Sequence, residues 1–269
     1  MRSSRRFGVR AAVAYLLAAL TLFPIFWLVL SALKPAAETF DTGLPSRLTL
    51  SNITYVLTKV PFPRYLFNSA LVSIVVTVVA LLFHSMAAYA LARLRFPGQR
   101  LIFSGVVSTM LVSLPVILVP LFVIVKRLGM IDTYAGLIVP AIFNAYGIFL
   151  LRQYYLSIPR ELEEAAGLDG CGYVRTYWHV VLPLSRPLLA SLSVLFFLAN
   201  WNAFLWPLTI TRDPNLRVVQ LGMAGLQGEH AAAWNYVLAA ALLAAIPTVV
   251  VFLAGQRRLV DAMKTSGLK

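Results

Sequence analysis

Six stretches of this chain contain no Asp, Glu, Lys or Arg: Ala11–Leu33, Tyr65–Ala92, Leu101–Val125, Thr133–Leu151, Pro187–Thr211 and His230–Gln256. A helix crossing a bilayer needs about 20 apolar residues, and it must satisfy its backbone hydrogen bonds internally because lipid offers none. The runs are continuous rather than alternating, which excludes a transmembrane strand barrel. Composition agrees: 60% of residues are hydrophobic, 12% are charged and the mean hydropathy is +0.81. A soluble domain carries about 25% charged residues, so a water-solvated enzyme is excluded. The expected fold is an all-α membrane protein of six transmembrane helices. Residues 1–10 form an N-terminal segment, residues 11–256 one six-span domain and residues 257–269 a tail, with no internal repeat and no soluble appendage.

The first run has a basic front, but it is longer than a signal-peptide core and no A-x-A site follows, so it reads as an uncleaved span. Net charge is +13. The basic residues are scattered between the runs rather than gathered into a nucleic-acid patch. The termini and the second and fourth connectors carry fifteen Lys and Arg, against eight on the other side. The positive-inside rule then places both termini in the cytoplasm. A single cysteine, Cys171, allows no intrachain disulfide and no cysteine-based metal site. No metal site is expected.

The fourth connector, 152–186, holds four of the ten acidic residues: Glu161, Glu163, Glu164 and Asp169. Ser157 and Pro159 suit a helix opening, the glutamates favour its positive end, and Gly170 and Gly172 mark a stop and turn. A second short helix over Tyr173–Val180, ended by Pro183, completes a helix–turn–helix. The connector lacks a nucleophile–base pair and metal-ligand spacing. Ala165, Ala166 and Gly170 instead form a small-residue surface suited to docking. A plain interfacial helix is the alternative, but three glutamates would be repelled by an anionic leaflet.

Glu164-Ala165-Ala166, then Gly170 after three residues, Val180 after nine more, and Leu182-Pro183 resemble the EAA loop of ABC-importer permeases. Asp169 fits the same pattern, with Val180 for the usual Ile and Cys171 for the usual Ala. Phe23-Pro24-Ile25-Phe26-Trp27, Lys34-Pro35, Asn68-Ser69, Tyr89-Ala90-Leu91-Ala92-Arg93, Pro120-Leu121, Leu128-Gly129 and Trp201-Asn202 extend the resemblance to the carbohydrate-uptake branch. They are similar to the second permease subunit of maltose-type importers. Ala203 stands where that branch often has Glu, Asp132 where Asn is common, and the tail lacks a Gly-rich ending.

The resemblance implies a type I importer permease fold in a bacterial or archaeal cytoplasmic membrane. This chain would form half of the pore, beside a second, homologous permease subunit as a heterodimer. Two cytoplasmic ATPase subunits would carry ATP and Mg, and an extracytoplasmic binding protein would deliver the solute. The chain has no G-x-x-x-x-G-K-[ST] segment, so ATP hydrolysis falls to the partner. Glu164, Ala165, Ala166, Asp169, Gly170, Leu182 and Pro183 are the expected ATPase-coupling residues. Glu164 would orient the loop through its charge, and Gly170 would allow a tight turn.

Within the spans, Asn144, Asn200, Trp201 and Asn202 are the substrate-pathway candidates. Amides bond sugar hydroxyls and an indole stacks on a sugar's C–H face. The same residues equally suit inter-helix hydrogen bonding. His84 reads as a packing residue, since no in-span charge accompanies it for a proton relay. Pro24, Pro115, Pro120, Pro140, Pro207 and Pro247 read as tolerated kinks. Trp27, Trp206, Trp234 and Tyr65 read as interfacial belts. Other readings are a same-superfamily permease for glycerol phosphate, an amino acid or a peptide, a secondary transporter, or a membrane-embedded enzyme. A phosphate would want a cation in the spans, a secondary transporter acidic residues, and an enzyme a catalytic constellation.

Overall fold

The structure is a computed structural model that describes residues 2–229 and 233–266. Its helices are α1 (Arg2–Ala32), α2 (Ser51–Thr58), α3 (Phe62–Arg93), α4 (Gln99–Thr109), α5 (Leu114–Arg127), α6 (Tyr134–Ile142) and α7 (Ala145–Ser157). They continue as α8 (Glu161–Leu168), α9 (Tyr173–Thr176), α10 (Leu182–Leu184), α11 (Arg186–Trp201), α12 (Leu205–Ile210), α13 (Val219–Glu229) and α14 (Trp234–Ser266). No strand occurs among the described residues. Residues 230–232 and 267–269 fall outside them, and with them the start of the sixth run and the end of the tail.

Among the described residues, three helical stretches are long and apolar enough to cross a bilayer: Val13–Ala32, Phe62–Arg93 and Trp234–Gln256. They match the first, second and sixth runs. The other three runs are not single straight helices. The third run bends by 106° between Gln99–Thr109 and Leu114–Arg127 and the fourth by 40° between Tyr134–Ile142 and Ala145–Ser157, while the connector arm Tyr173–Leu184 meets Arg186–Trp201 at 74° just ahead of the fifth. Each break has a local cause. Pro115 and Pro187 stand in the first turn of α5 and α11, where proline starts a helix but cannot continue one. Asn144 is extended at φ −144° and caps α7 by accepting from the Gly147 N–H at 3.3 Å. The fifth run breaks after Trp201, and α12 resumes at Leu205 with Pro207 in its first turn. Pro24, Pro120, Pro140 and Pro247 lie inside helices.

The chain divides into two compact units. The first takes residues up to Pro63 and adds Gly222–Pro247. Here buried Lys34 explains its place after α1: Nζ donates to the Asp41 carbonyl at 2.6 Å and the Gly43 carbonyl at 2.8 Å, over the Trp27 ring. Asn52 donates to the Ala32 and Lys34 carbonyls at 3.1 and 2.8 Å and accepts from Asn235 at 2.8 Å. Glu38 accepts from Ser46, which holds its carboxyl below the ordinary carboxylate range.

The second unit takes Arg64–Leu221 and the residues from Thr248 onward. One of its apolar clusters joins Val72, Val125, Leu137, Trp206 and Ile210. Another joins Ala88, Tyr89, Leu151, Tyr155, Tyr177 and Val181, under the 152–186 connector. Trp206 and Tyr65, expected in interfacial belts, are instead buried. The Trp206 indole donates to the Gly136 carbonyl at 3.0 Å, and the missing side chain at Gly136 leaves room for the Met130 carbonyl, which a Cβ would meet at 2.1 Å. Trp234 is exposed, as a belt residue would be.

Candidate functional site

The 152–186 connector folds as its residue types dictate. Pro159 disfavours helix at the preceding residue, so Ile158 is extended at ψ 131° and α7 ends. Glu161, Glu163 and Glu164 occupy the first turn of α8, at the positive end of its dipole. Gly170 adopts φ +78° and closes α8 in a Schellman turn: Cys171 N–H donates to the Ala166 carbonyl at 2.9 Å and Gly170 N–H to the Gly167 carbonyl at 3.0 Å. Gly172, by contrast, is extended with negative φ. The second arm runs from Tyr173 to Leu184 through a π-helical turn at Tyr177–Val181. That wider turn lies just before Pro183, whose ring would crowd the His179 carbonyl of a regular α-helix.

The expected coupling residues divide by exposure. Glu164, Ala165, Asp169 and Gly170 face outward. Ala166 is buried and belongs to the loop's underside, so it leaves the small-residue docking surface. Leu182 and Pro183 are half-buried, and Leu182 packs against the core beneath. Sequence reasoning missed the apolar side chains at the tip. Leu168, Tyr173 and Val174 are 91%, 71% and 73% exposed on either side of the Gly170 turn. Their position flanking a helix-stopping glycine was the available signal.

Within α8, Glu163 is the glutamate that meets the end of α3, while Glu164 is exposed. Arg93 Nε, at the end of α3, stands 2.7 Å from Glu163 Oε1, with side chains only 5% and 17% exposed. Burial raises the Glu163 carboxyl above the ordinary carboxylate range, and the Arg93 charge pulls it partly back. Arg93 also donates to the Ile158 carbonyl. Further along α3, Ser85 Oγ lies 2.6 Å from Tyr155 Oη and 2.8 Å from Tyr177 Oη.

A second feature is a cavity of about 700 Å³ in the same unit. Asn144 and Asn200 lie on its wall with Ser69, Thr109, Tyr146 and Trp206, and no charged residue lines it among the described residues. Asn200 spends one amide N–H on the Phe196 carbonyl at 2.8 Å. Trp201 and Asn202 do not reach the cavity. Trp201 is buried and stacked on Phe197, ring centroids 5.6 Å apart. Asn202 points elsewhere because the helix ends there, and its Oδ1 accepts from Gln220 at 3.0 Å. His84 is a packing residue, edge-on to Phe196, and its Nε2 accepts from the Asn144 N–H at 3.1 Å. No cluster of His, Cys, Asp or Glu suited to a metal occurs among the described residues.

Apolar spans broken at defined points, an uncharged cavity and an outward helix–turn–helix together define a membrane transport permease. The chain belongs to the family described as the binding-protein-dependent transport system inner membrane component, which matches residues 84–265. It is 33% identical over 259 residues to the arabinooligosaccharides transport system permease protein AraQ of Halalkalibacterium halodurans, covering 94% of this chain and 93% of that one. It is 35% identical to the sn-glycerol-3-phosphate transport system permease protein UgpE of Salmonella typhimurium, covering 92% of each. Its fold matches a bacterial ABC transporter involved in import of the acidic polysaccharide alginate, with TM-score 0.83, 26% identity, and coverage of 96% of this chain and 98% of that one.

Proposed function

We propose that this chain is one pore-forming half of an ATP-driven importer for a neutral sugar or oligosaccharide. The observation that carries the solute class is the uncharged cavity wall with the amides of Asn144 and Asn200 and the Tyr146 hydroxyl on it. Such a wall offers hydrogen bonds to sugar hydroxyls, whereas a phosphate or uronate would be stripped of water without a compensating cation. The arabinooligosaccharide relatives fit this solute class. In this reading the chain crosses the cytoplasmic membrane six times, with α4–α5 and α6–α7 each serving as one bent span and α11–α12 as the fifth, and with both termini inside. Residues 11–256 form the pore domain, and 1–10 and 257–269 are cytoplasmic.

The 152–186 connector then meets a separate ATPase, which binds ATP and Mg. Its exposed tip, with Leu168, Tyr173 and Val174 beside Glu164, Ala165, Asp169 and Gly170, is the surface offered to the partner. Two ATPase copies, a second permease subunit and an extracytoplasmic binding protein complete the assembly. The test is co-purification of the permease with its ATPase, followed by uptake in vesicles loaded with ATP. A neutral oligosaccharide should enter only with binding protein and ATP present. Uptake of glycerol 3-phosphate in its place would transfer the reading to the UgpE-like branch.

A further inference from the structure

Three side chains four residues apart on α3, and hence on one helix face, each hold a different part of the 152–186 loop. Ser85 holds the Tyr155 and Tyr177 hydroxyls at 2.6 and 2.8 Å. Tyr89 donates its hydroxyl to the Tyr173 carbonyl at 3.4 Å. Arg93 pairs with Glu163 and donates to the Ile158 carbonyl. Both arms of the loop and its entry are therefore fastened to one helix. The neighbouring residue, His84, faces the other way along the mechanism: it accepts the Asn144 N–H at the α6–α7 break, where Asn144 lines the cavity.

We propose that the Ser85–Tyr89–Arg93 face makes α3 and the coupling loop one mechanical body, and that His84 passes its displacement to the cavity wall at Asn144. This rests on the reading of 152–186 as the coupling loop. The physical ground is the cost of any alternative motion. Sliding the loop along α3 would part a charge pair that is largely withdrawn from solvent and would strand buried hydroxyls at the same moment. Moving loop and helix together breaks none of these bonds. Arg93, Glu163 and Ser85 are positioning residues in this scheme, and none need touch solute or nucleotide.

The experiment uses the whole complex in vesicles, with solute imported per ATP hydrolysed as the readout. Arg93→Cys and Glu163→Cys are combined in a Cys171→Ala background and bridged with a short bis-maleimide. The unbridged complex should show the lowered ratio of a lost Arg93–Glu163 pair, and because a rigid body tolerates the bridge, bridging should bring the ratio back to within about two-fold of the Cys171→Ala complex. Loss of import on bridging would overturn the proposal, because the two elements would then have to separate during the cycle. In parallel, Arg93→Glu and Glu163→Arg should each lower the ratio about ten-fold while the ATPase still co-purifies, and the double exchange should restore it. Unchanged single variants, or a double variant no better than the singles, would also overturn it. If the reversals fail to assemble, Ser85→Ala and Tyr177→Phe take their place, with a lowered ratio expected and an unchanged one decisive against. A wild-type complex that binds no ATPase would overturn the underlying reading, which the variants do not affect.

Discussion

Tyr134 donates its hydroxyl to Asn68 Oδ1 across 2.7 Å, while the Asn68 amide donates to the Asn215 and Arg217 carbonyls at 2.8 and 2.9 Å. Asn68 is fully buried, and all its polar atoms are engaged. Its neighbour Ser69 accepts from the Val219 N–H at 2.7 Å. The Asn68-Ser69 pair near the start of α3 is thus a strap for the segment leading into α13.

Asn68→Ala removes the amide shared by two carbonyls and the Tyr134 hydroxyl and should cost about 2–4 kcal/mol. Tyr134→Phe removes one bond from the same strap and should cost about 1 kcal/mol. Thermal unfolding of the detergent-solubilised protein should rank them wild type, Tyr134→Phe, Asn68→Ala. Equal melting points for all three would show the strap to be energetically idle.

Glycines separate by what a methyl group would meet. At Gly147 a Cβ would stand 2.6 Å from Phe196 Cζ and 2.7 Å from His84 Nδ1. Gly147→Ala should therefore destabilise by about 1–3 kcal/mol through overpacking. At Gly167, within α8, nothing lies within 4 Å. Gly167→Ala should stabilise that helix by about 0.5–1 kcal/mol. Gly170 has equal room but φ +78°, so Gly170→Ala should lose about 1 kcal/mol from backbone strain alone. Melting temperatures of the three variants decide the order.

The apolar runs revealed α1, α3 and α14 because length and lack of charge are local properties. The Gly170 turn was equally legible, since a glycine behind a helical segment announces a positive φ. Breaks in the third, fourth and fifth runs were hidden. A proline inside an apolar run reads the same whether the helix bends around it or ends, and the outcome at Asn144 depends on which N–H groups its side chain can cap. Trp201 and Asn202 show the same limit: adjacency suggested one site, but the helix end between them sends one into the core and the other to Gln220. Glu163 was one of three glutamates until Arg93, distant in sequence, distinguished it.

Glu163 gives the loop a pH dependence of defined sign. Its folded-state carboxyl lies above the ordinary range because burial outweighs the attraction of Arg93. The folded state thus binds the proton more tightly than the unfolded chain. The associated stability is fully present below the unfolded pKa and is lost as pH rises through the folded one. Glu163→Gln removes this titration. Relative to Glu163→Gln, the wild-type melting temperature should therefore rise as pH is lowered from neutral towards the ordinary carboxylate pKa. Arg93→Gln should move that rise to higher pH. A wild-type advantage that shrinks on acidification contradicts the assignment.

The cavity distinguishes two asparagines that the sequence set side by side. Asn200 lies on its wall with one N–H held by the Phe196 carbonyl, leaving the remainder of the amide for a solute hydroxyl. Asn202 lies off it, with Nδ2 on the Leu198 carbonyl and Oδ1 on Gln220. Loss of one neutral hydrogen bond is worth about 1 kcal/mol, or roughly five-fold in rate or affinity. Asn200→Ala should accordingly lower sugar uptake by about five-fold in the reconstituted importer, and Asn202→Ala should stay within about two-fold of wild type. Uptake should be measured across solute concentrations with saturating binding protein, so that delivery does not mask passage. If Asn202→Ala is the more damaging change, the solute passes along a different face of this subunit than the one that carries Asn144 and Asn200.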